Sequence, residues 1–301
     1  MDQRVGDLVV VEAAEPMRHP HIPPQCHSDE QLLRMWLHGK ADHTVRAYAA
    51  DAGTFLAFVG REVRMVTLDD VQRFDARNSN RAPVTRARKL GSVKSLLSFA
   101  HRIGYTRFNV GAPVQLPKVK ETLAERIVEE GAVHRLLALE ANPRNHALLR
   151  LLYIAGLRIS EVCNLRWRDA KPREADAGQI TVQGKGDVTG VILLPASMWA
   201  ELIQLQGEAG PDDPVFLSAK GGHLDPVQVH RIVKAAAARA KLENAKAFSA
   251  HWLRHAHASH ALDRGAPISL VQQTLRHSNV ATTSRYLHAK PNDSSAQYLG
   301  T

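Results

Sequence analysis

The stretch QITVQGKGDVTGVILLP, residues 179–195, decides the fold class because it interrupts a chain whose apolar pattern is otherwise helical. Two β-rich runs flank a turn made of Gly184, Lys185, Gly186 and Asp187, and this arrangement predicts a β-hairpin. On both sides of it, apolar residues recur at the spacing of an amphipathic helix. The predicted fold is therefore mainly α with a small antiparallel β-sheet, an α+β fold.

The helical pattern falls into two groups separated by a linker. Before the linker, four short helices are predicted, around residues 32–36, 45–58, 66–74 and 90–99. After it, the predicted helices lie around residues 133–139, 147–155, 196–205, 227–240, 250–262, 268–275 and 281–286. The linker is the proline-containing stretch GAPVQLPKVKE, residues 111–121.

This pattern predicts two domains, for which 301 residues are enough. The expected organisation is a flexible arm (1–27), a helical domain (28–112), a linker (113–121), a second domain (122–288) and a C-terminal tail (289–301). No apolar run reaches the roughly 20 residues of a membrane span, and the N-terminus does not resemble a secretion signal. A cytoplasmic protein without membrane contact is expected. Cys26 and Cys163 suggest neither a disulfide framework nor a thiolate metal site.

Positive charge is concentrated in the first domain. The net charge is +9, and between Asp75 and Glu121 the chain contains basic residues but no acidic ones. A solvated basic surface is one interpretation, but an unmixed run favours contact with a phosphate backbone, so nucleic acid is the expected partner. The candidate DNA-binding residues are Arg77, Arg81, Arg86, Arg88, Lys89 and Lys94.

Several polar residues of the second domain are not explained by the helical pattern. They are Arg158 in GLRISEV, Lys185 in the hairpin turn, His251 and Arg254 in HWLRH, His277 in LRHS, and Tyr286 in ATTSRYLH. Taken singly, each has an ordinary structural explanation, such as a turn, a surface pair or a core tyrosine. His251 and Arg254 are three residues apart and share a helix face, so their side chains are expected to point together.

In this order, the motifs resemble those of the tyrosine recombinase, or phage integrase, family. The resemblance spans about residues 120–288, and HTVRAYAADAGTFLAFV is similar to the first helices of the family's core-binding domain. It implies a helical core-binding domain followed by a catalytic domain, in a simple two-domain recombinase that lacks an arm-binding domain.

The resemblance also implies a role for each residue. Tyr286 would be the nucleophile that forms a 3′-phosphotyrosyl link, Lys185 would protonate the leaving 5′ oxygen, and Glu161 would support the first arginine. Arg158, Arg254, His251 and His277 would complete the catalytic set. The chain departs from the family pattern at Arg276, where glycine is usual, and at Val188 and Gly190, where basic residues are usual. We expect Arg276 to alter its turn or to add a phosphate contact.

The chemistry of these residue types fits phosphoryl transfer. A tyrosine hydroxyl with a pKa near 10 needs cationic surroundings to act as a nucleophile, and guanidinium groups can hold the charge on phosphate oxygens. No phosphate-binding GxxxxGK[ST] loop is present, so no nucleotide is expected. The histidines at 251, 255, 257 and 260 lack an HExxH pattern, and neither a metal nor another cofactor is predicted.

Three classes of function remain. The first is a site-specific DNA recombinase, acting as a homo-tetramer on two double-stranded DNA sites, with the need for a directionality factor left open. The second is a type IB topoisomerase-like enzyme that relaxes supercoils. The third is a non-catalytic DNA-binding protein in which Tyr286 packs in a core. For the first class, residues 292–301 are expected to dock on a neighbouring protomer.

Overall fold

The computed structural model describes residues 25–184, 189–277 and 279–289. They fall into two compact units, Met1–Lys120 and Glu121–Thr301. Most of the predicted N-terminal arm, Lys185 with the rest of the hairpin loop, and the tail after 289 lie outside the described residues. None of the helices described is long and apolar enough to cross a membrane.

From residue 25 onward, the first unit contains four α-helices. They are α1 (Asp29–Leu37), α2 (Asp42–Val59), α3 (Leu68–Arg77) and α4 (Pro83–Arg102), with a 3-10 turn at Val63–Met65. Local signals explain where they begin: the Ser28 hydroxyl accepts from the Gln31 amide at the start of α1, and Thr67 and Asp70 form a capping box at the start of α3. The helices enclose a core that includes the following buried side chains: Leu32, Trp36, Phe55, Phe74, Leu90, Val93, Leu96 and Leu97.

The second unit is also mostly helical. Its helices are α5 (Glu130–Ala138), α6 (Pro143–Ile154), α7 (Ile159–Asn164), α8 (Ala196–Ile203), α9 (Pro226–Arg239), α10 (Ala250–Asp263), α11 (Ile268–Leu275) and α12 (Val280–Ala289). The helices predicted from the sequence appear at the expected places in both units, and the expected α+β class is confirmed.

A three-stranded antiparallel sheet in the order β1-β2-β3 lies within this unit. Strands β2 (Gly178–Gln183) and β3 (Thr189–Leu194) form the predicted hairpin, in register from Gly178 opposite Leu194 to Gln183 opposite Thr189. Strand β1 (Ala170–Pro172) pairs with β2 and was not predicted. Its sequence, AKP, is too short to show an alternating pattern.

The residues of interest gather around α10, which packs against α6, α11 and α12. A separate small apolar cluster joins this helix to the C-terminal helices; its buried members are Leu123, Ile127, Ala258, Val271, Leu275 and Tyr286. Tyr286 therefore packs in a core, which is the ordinary structural explanation of a tyrosine in this position. Its hydroxyl group, however, contacts a polar residue described below.

Candidate active site

The junction between α6 and α7 positions Arg158. Gly156 has a φ of +57°, and a Cβ atom there would lie 2.6 Å from Cδ2 of Leu275 and 3.1 Å from Cδ2 of His257. Glycine is therefore required both by the backbone and by the close approach of α10 and α11. The turn places Arg158 at the start of α7, where the sequence predicted that it would open a short helix.

Glu161 holds Arg158 in place. Its Oε1 accepts from Nη1 of Arg158 at 2.8 Å, and its Oε2 accepts from the Arg158 backbone amide at 2.8 Å. The carboxylate side chain is only 2% exposed, whereas the Arg158 side chain is 35% exposed. The buried carboxylate therefore fixes the base of a guanidinium whose outer face remains open to a ligand.

Arg254 is the most deeply placed cation of the group, at 1% exposure on α10. Its two Nη atoms donate to the carbonyl oxygens of Gly156 and Leu275. Burial, with a further contribution from Arg158, lowers the pKa of Arg254 to about 9, so the group is charged at neutral pH. The guanidinium thus joins the α6–α7 junction to the end of α11.

His251 differs from Arg254 in exposure, although both lie on α10. His251 is exposed, whereas Arg254 points into the unit. The two side chains share a helix face as expected, but they do not both project to the surface. Partial burial lowers the pKa of His251, and the charges of Arg254 and Arg158 lower it further. The charges of both guanidinium groups therefore act against protonation of this imidazole.

Tyr286 is paired with His255, a residue that the sequence analysis did not select. The phenolic oxygen lies 2.7 Å from Nδ1 of His255, and both residues are buried. Burial raises the pKa of Tyr286, an effect partly offset by Arg254 and Arg285. Burial also lowers the pKa of His255 to about 3, with a further contribution from His251. Both groups are therefore neutral at pH 7, and a hydrogen bond joins the phenol to the imidazole.

A signal for His255 was present in the sequence. It lies four residues after His251 and directly after Arg254, so on a helix it stands one turn from the first histidine. In the structure the rings of His251 and His255 pack edge to face, with their centroids 4.3 Å apart. The histidine pair therefore connects the exposed edge of the site to Tyr286.

His277 lies at the end of the turn that follows α11. Its Nδ1 is 2.9 Å from the Thr283 hydroxyl, and its backbone carbonyl accepts from the side chain of Gln272 at 3.1 Å. Burial lowers the pKa of His277 to about 4, followed in size by the effects of Arg254 and Arg158. The imidazole is neutral at pH 7 and lies within the electrostatic influence of both arginines.

The other histidines of α10 have partners of their own. Nδ1 of His260 lies 2.9 Å from the Tyr153 hydroxyl oxygen, and His257 lies against Gly156 and is hydrogen-bonded to backbone. Among the residues described, no group of three or more histidine, cysteine, aspartate or glutamate side chains could hold a metal ion.

Of the six predicted catalytic residues, five lie in the described part of the chain, and the structure brings them into one region of the second unit. Arg158, Arg254, His251 and His277 influence one another electrostatically, and Arg254 also influences Tyr286. Lys185 lies outside the described residues.

The candidate DNA-binding residues of the first unit differ in how much of their charge is available. Arg77 and Arg81 are exposed; Arg77 lies over the Phe58 ring, and Arg81 donates to Asn78. The others make internal contacts: Arg86 with Asp75, Arg88 and Lys89 with Asp51, and Lys94 with the carbonyl oxygens of Ala112 and Val114. Asp51 and Asp75 therefore neutralise part of the basic run.

Much of the chain is similar to known proteins. The family model described as the phage integrase family matches residues 126–293. The tyrosine recombinase XerC of Xylella fastidiosa (strain M23) is 30% identical over 261 residues, covering 83% of this chain and 87% of that protein. A tyrosine recombinase of Thermosipho africanus (strain TCF52B) is 29% identical, covering 82% and 89%. The chain belongs to the phage integrase family, and the expectation of a tyrosine recombinase is confirmed.

Two solved structures share the fold. A lambda integrase fragment, solved as a dimer bound to a COC′ core site, aligns with a TM-score of 0.68 and 15% identity over 89% of this chain and 98% of that one. The XerH site-specific recombinase bound to its difH substrate aligns with a TM-score of 0.66 and 18% identity over 91% and 84%.

Proposed function

We propose that this protein is a site-specific recombinase that cuts and rejoins double-stranded DNA through a covalent 3′-phosphotyrosyl link to Tyr286. The observation that supports this most strongly is the surroundings of Tyr286. The hydroxyl group of Tyr286 contacts His255, which packs against His251, and the charges of Arg254 and Arg285 both act to lower the pKa of Tyr286. These surroundings suit phosphoryl transfer, whereas binding alone would need only positive charge.

The proposed reaction exchanges one ester for another. The Tyr286 oxygen attacks the phosphorus atom, the bond to the 5′ oxygen breaks, and that oxygen takes up a proton while the phenol gives one up. A 3′-phosphotyrosyl ester forms, and attack by a 5′ hydroxyl reverses the step. Because one ester replaces another, the DNA strand can be rejoined without a nucleotide cofactor.

The arginines have the geometry to hold the phosphate. Arg158 is anchored by Glu161 and partly exposed, so its outer N–H groups can donate to a non-bridging oxygen. Arg254 uses two N–H groups on carbonyl oxygens and is 1% exposed, so its remaining N–H groups become available to a phosphate only when the residues that cover it move. By comparison with other phosphoryl transfer enzymes, one such guanidinium accelerates the reaction by about 10³ to 10⁵.

Proton transfer is assigned to the histidines and to Lys185. With a pKa of about 3, His255 is too weak a base to keep the phenolic proton at neutral pH, so we assign it the role of orienting the hydroxyl. His251, which is exposed and packs edge to face against His255, is proposed to receive the proton. His277 contributes a neutral imidazole to the phosphate site. Lys185 is proposed to protonate the leaving 5′ oxygen.

Tyr286 must move before it can react. Only 6% of its surface is exposed, and its hydroxyl group is held by His255 within an apolar cluster. A phosphate cannot reach this oxygen unless α12 or the ring is displaced. We propose that DNA binding drives this displacement, which would keep the nucleophile inactive in the absence of a site.

The proposed assembly is a homo-tetramer that joins two DNA sites. The known assemblies of lambda integrase support this proposal, because its structures include a dimer on a core site and a tetramer on a Holliday junction. The type IB topoisomerase-like alternative is less favoured, because the reported relatives carry recombinase names. Mass measurement on DNA with one or two sites would distinguish a tetramer from the monomer that DNA relaxation requires.

The direct experiment is recovery, under denaturing conditions, of DNA covalently bound to the protein in cells that express it. Wild type and Tyr286→Phe would be compared, and the recovered DNA sequenced. The proposal predicts that only wild type traps DNA and that the trapped DNA maps to a short recurrent site. Dispersed sites would favour relaxation, and the absence of an adduct from a wild-type protein that binds DNA would favour the non-catalytic class.

A further inference from the structure

Arg276 occupies a position that disfavours it. It ends α11 with φ 52° and ψ 48°, a left-handed conformation in which glycine is the usual residue. Its side chain is nevertheless 7% exposed, and its Nε is buried without a hydrogen-bond partner among the described residues. Backbone strain combined with an unsatisfied buried donor suggests that the position of this guanidinium serves a function.

The guanidinium is directed at Glu161. Nη2 of Arg276 donates to Oε2 of Glu161, the oxygen that also accepts from the Arg158 backbone amide. Oε1 of the same carboxylate accepts from Nη1 of Arg158 at 2.8 Å. One buried carboxylate is therefore shared by two arginines, and each of its oxygens accepts at least one charge-assisted hydrogen bond.

Arg276 also contacts Arg158 through its backbone. Its carbonyl oxygen accepts from Nη2 of Arg158 at 3.4 Å. The left-handed backbone at this residue determines where that carbonyl points. The two contacts, one through Glu161 and one through the carbonyl, restrict the orientation of the Arg158 guanidinium from two sides.

The charge balance depends on the same residue. An isolated pair of Arg158 and Glu161 would be electrically neutral and would attract a phosphate weakly. With Arg276 added, the three residues carry a net positive charge while the carboxylate remains fully hydrogen-bonded. Arg276 therefore allows Glu161 to orient Arg158 without cancelling its charge.

Gly190 on β3 provides the space for this arrangement. A Cβ atom at Gly190 would lie 2.5 Å from Cδ and 3.1 Å from Cγ of Arg276. The arginine stem lies across the strand at a point where only glycine leaves room. Two departures from the family pattern, an arginine at 276 and a glycine at 190, are thus in direct contact, and they join the strand that follows the Lys185 loop to the arginine site.

We propose that Arg276 is a positioning residue of the recombination reaction, acting on Arg158 through Glu161, and that Gly190 is required for its placement. This inference rests on the proposed function, in which Arg158 binds the phosphate that is attacked. It differs from the expectation of an altered turn or a direct phosphate contact, because the side chain faces inward. The proposal predicts an effect on the chemical step rather than on DNA binding.

The test measures single-turnover formation of the covalent complex at saturating protein, on a duplex that carries the site recovered in the trapping experiment. Arg276→Gly is expected to lower the rate constant by about 10- to 100-fold, by analogy with the loss found when a residue that orients a metal ligand is removed. Its affinity for the duplex should stay within about twofold of wild type. Arg276→Lys, which keeps the charge, should recover part of the rate.

The matched control is Lys241→Gly. Lys241 is also a basic residue in the left-handed conformation, with φ 51°, and it is exposed just after α9. Replacing Lys241 by glycine relieves the same backbone strain at a position that does not contact Glu161, so the rate constant of covalent complex formation should not change. Circular dichroism and thermal unfolding would show that all variants fold.

A second pair of variants tests the contact itself. Gly190→Ala should slow wild type, because the new methyl group displaces the Arg276 stem, but should have no further effect in Arg276→Gly, where that space is empty. Additive losses would overturn the proposed coupling. Equal rate constants for wild type and Arg276→Gly would overturn the proposal and leave the proposed function intact. A wild type that forms no covalent complex would overturn both.

Discussion

Replacing Arg254 by lysine tests the phosphate site most sharply, because the structure predicts two separate effects. Arg254 donates to the Gly156 and Leu275 carbonyl oxygens at 1% exposure. Lysine has one nitrogen and cannot reproduce both contacts together with a phosphate contact. A buried carbonyl left unpaired costs about 1–3 kcal/mol of unfolding free energy. Loss of one oriented donor from a transition-state site costs about 10² to 10³ in rate.

The second effect is a new pH dependence. Burial and neighbouring cations lower the pKa of Arg254 from 12.5 to about 9. If the pKa of a lysine at this position, ordinarily about 10.4, were lowered by the same amount, it would be about 7. Lysine at this position would therefore lose its proton as the pH rises through neutrality. The ratio of the Arg254→Lys rate constant to that of wild type should fall between about pH 6 and pH 8.

The assay is single-turnover cleavage of the recovered DNA site at several pH values, accompanied by urea unfolding of both proteins. Arg264→Lys is a matched control, because Arg264 follows α10 but is exposed and pairs with Glu130. A folded Arg254→Lys protein that cleaves within tenfold of wild type, with a constant ratio across this pH range, would refute the assignment of Arg254 to the phosphate site.

Gly156→Ala places a Cβ atom 2.6 Å from Leu275 and removes a residue suited to positive φ. The free energy of unfolding in urea should fall by about 1–3 kcal/mol and cleavage should slow. An unchanged unfolding free energy and an unchanged cleavage rate would refute this prediction. His255 has a pKa of about 3 in the fold and about 6.5 when unfolded, so it contributes a loss of up to about 1.4 kcal/mol per pH unit as the pH falls below about 6.5. His255→Phe should weaken the acid dependence of the urea midpoint, and an identical dependence would contradict the assigned pKa. Arg77→Ala should reduce DNA affinity and the salt dependence of binding, because Arg77 is exposed. Arg86→Ala should mainly reduce stability, because Arg86 pairs with Asp75. Equal losses of DNA affinity would show that Arg86 binds DNA in spite of its contact with Asp75.

The order of the helices and of the hairpin could be predicted from the sequence, because each of them leaves its own spacing of apolar residues. The change from helical spacing to an alternating run marked the β2–β3 hairpin, and Gly156 marked the end of α6. Strand β1 was missed, because a strand of three residues that pairs only with a neighbour leaves no periodic signal.

The candidate site was only partly accessible. Sequence order predicted which chemical groups form the site. It could not show that Arg254 points inward, because the carbonyl oxygens that accept its hydrogen bonds belong to residues far away in the chain. The direction of Arg276 was hidden for the same reason, since its partners Glu161 and Gly190 lie 115 and 86 positions earlier. Contacts of this kind are determined by tertiary packing and leave no spacing pattern.

Identification of the residue that carries the DNA tests the central claim most directly. The trapped complex would be digested with nuclease and protease, and the peptide bearing the residual nucleotide mapped by mass spectrometry. The chain contains five tyrosines, so the site can be assigned without ambiguity. The account predicts a nucleotide joined through its 3′ phosphate to Tyr286. A nucleotide on another residue, or joined through a 5′ phosphate, would contradict it.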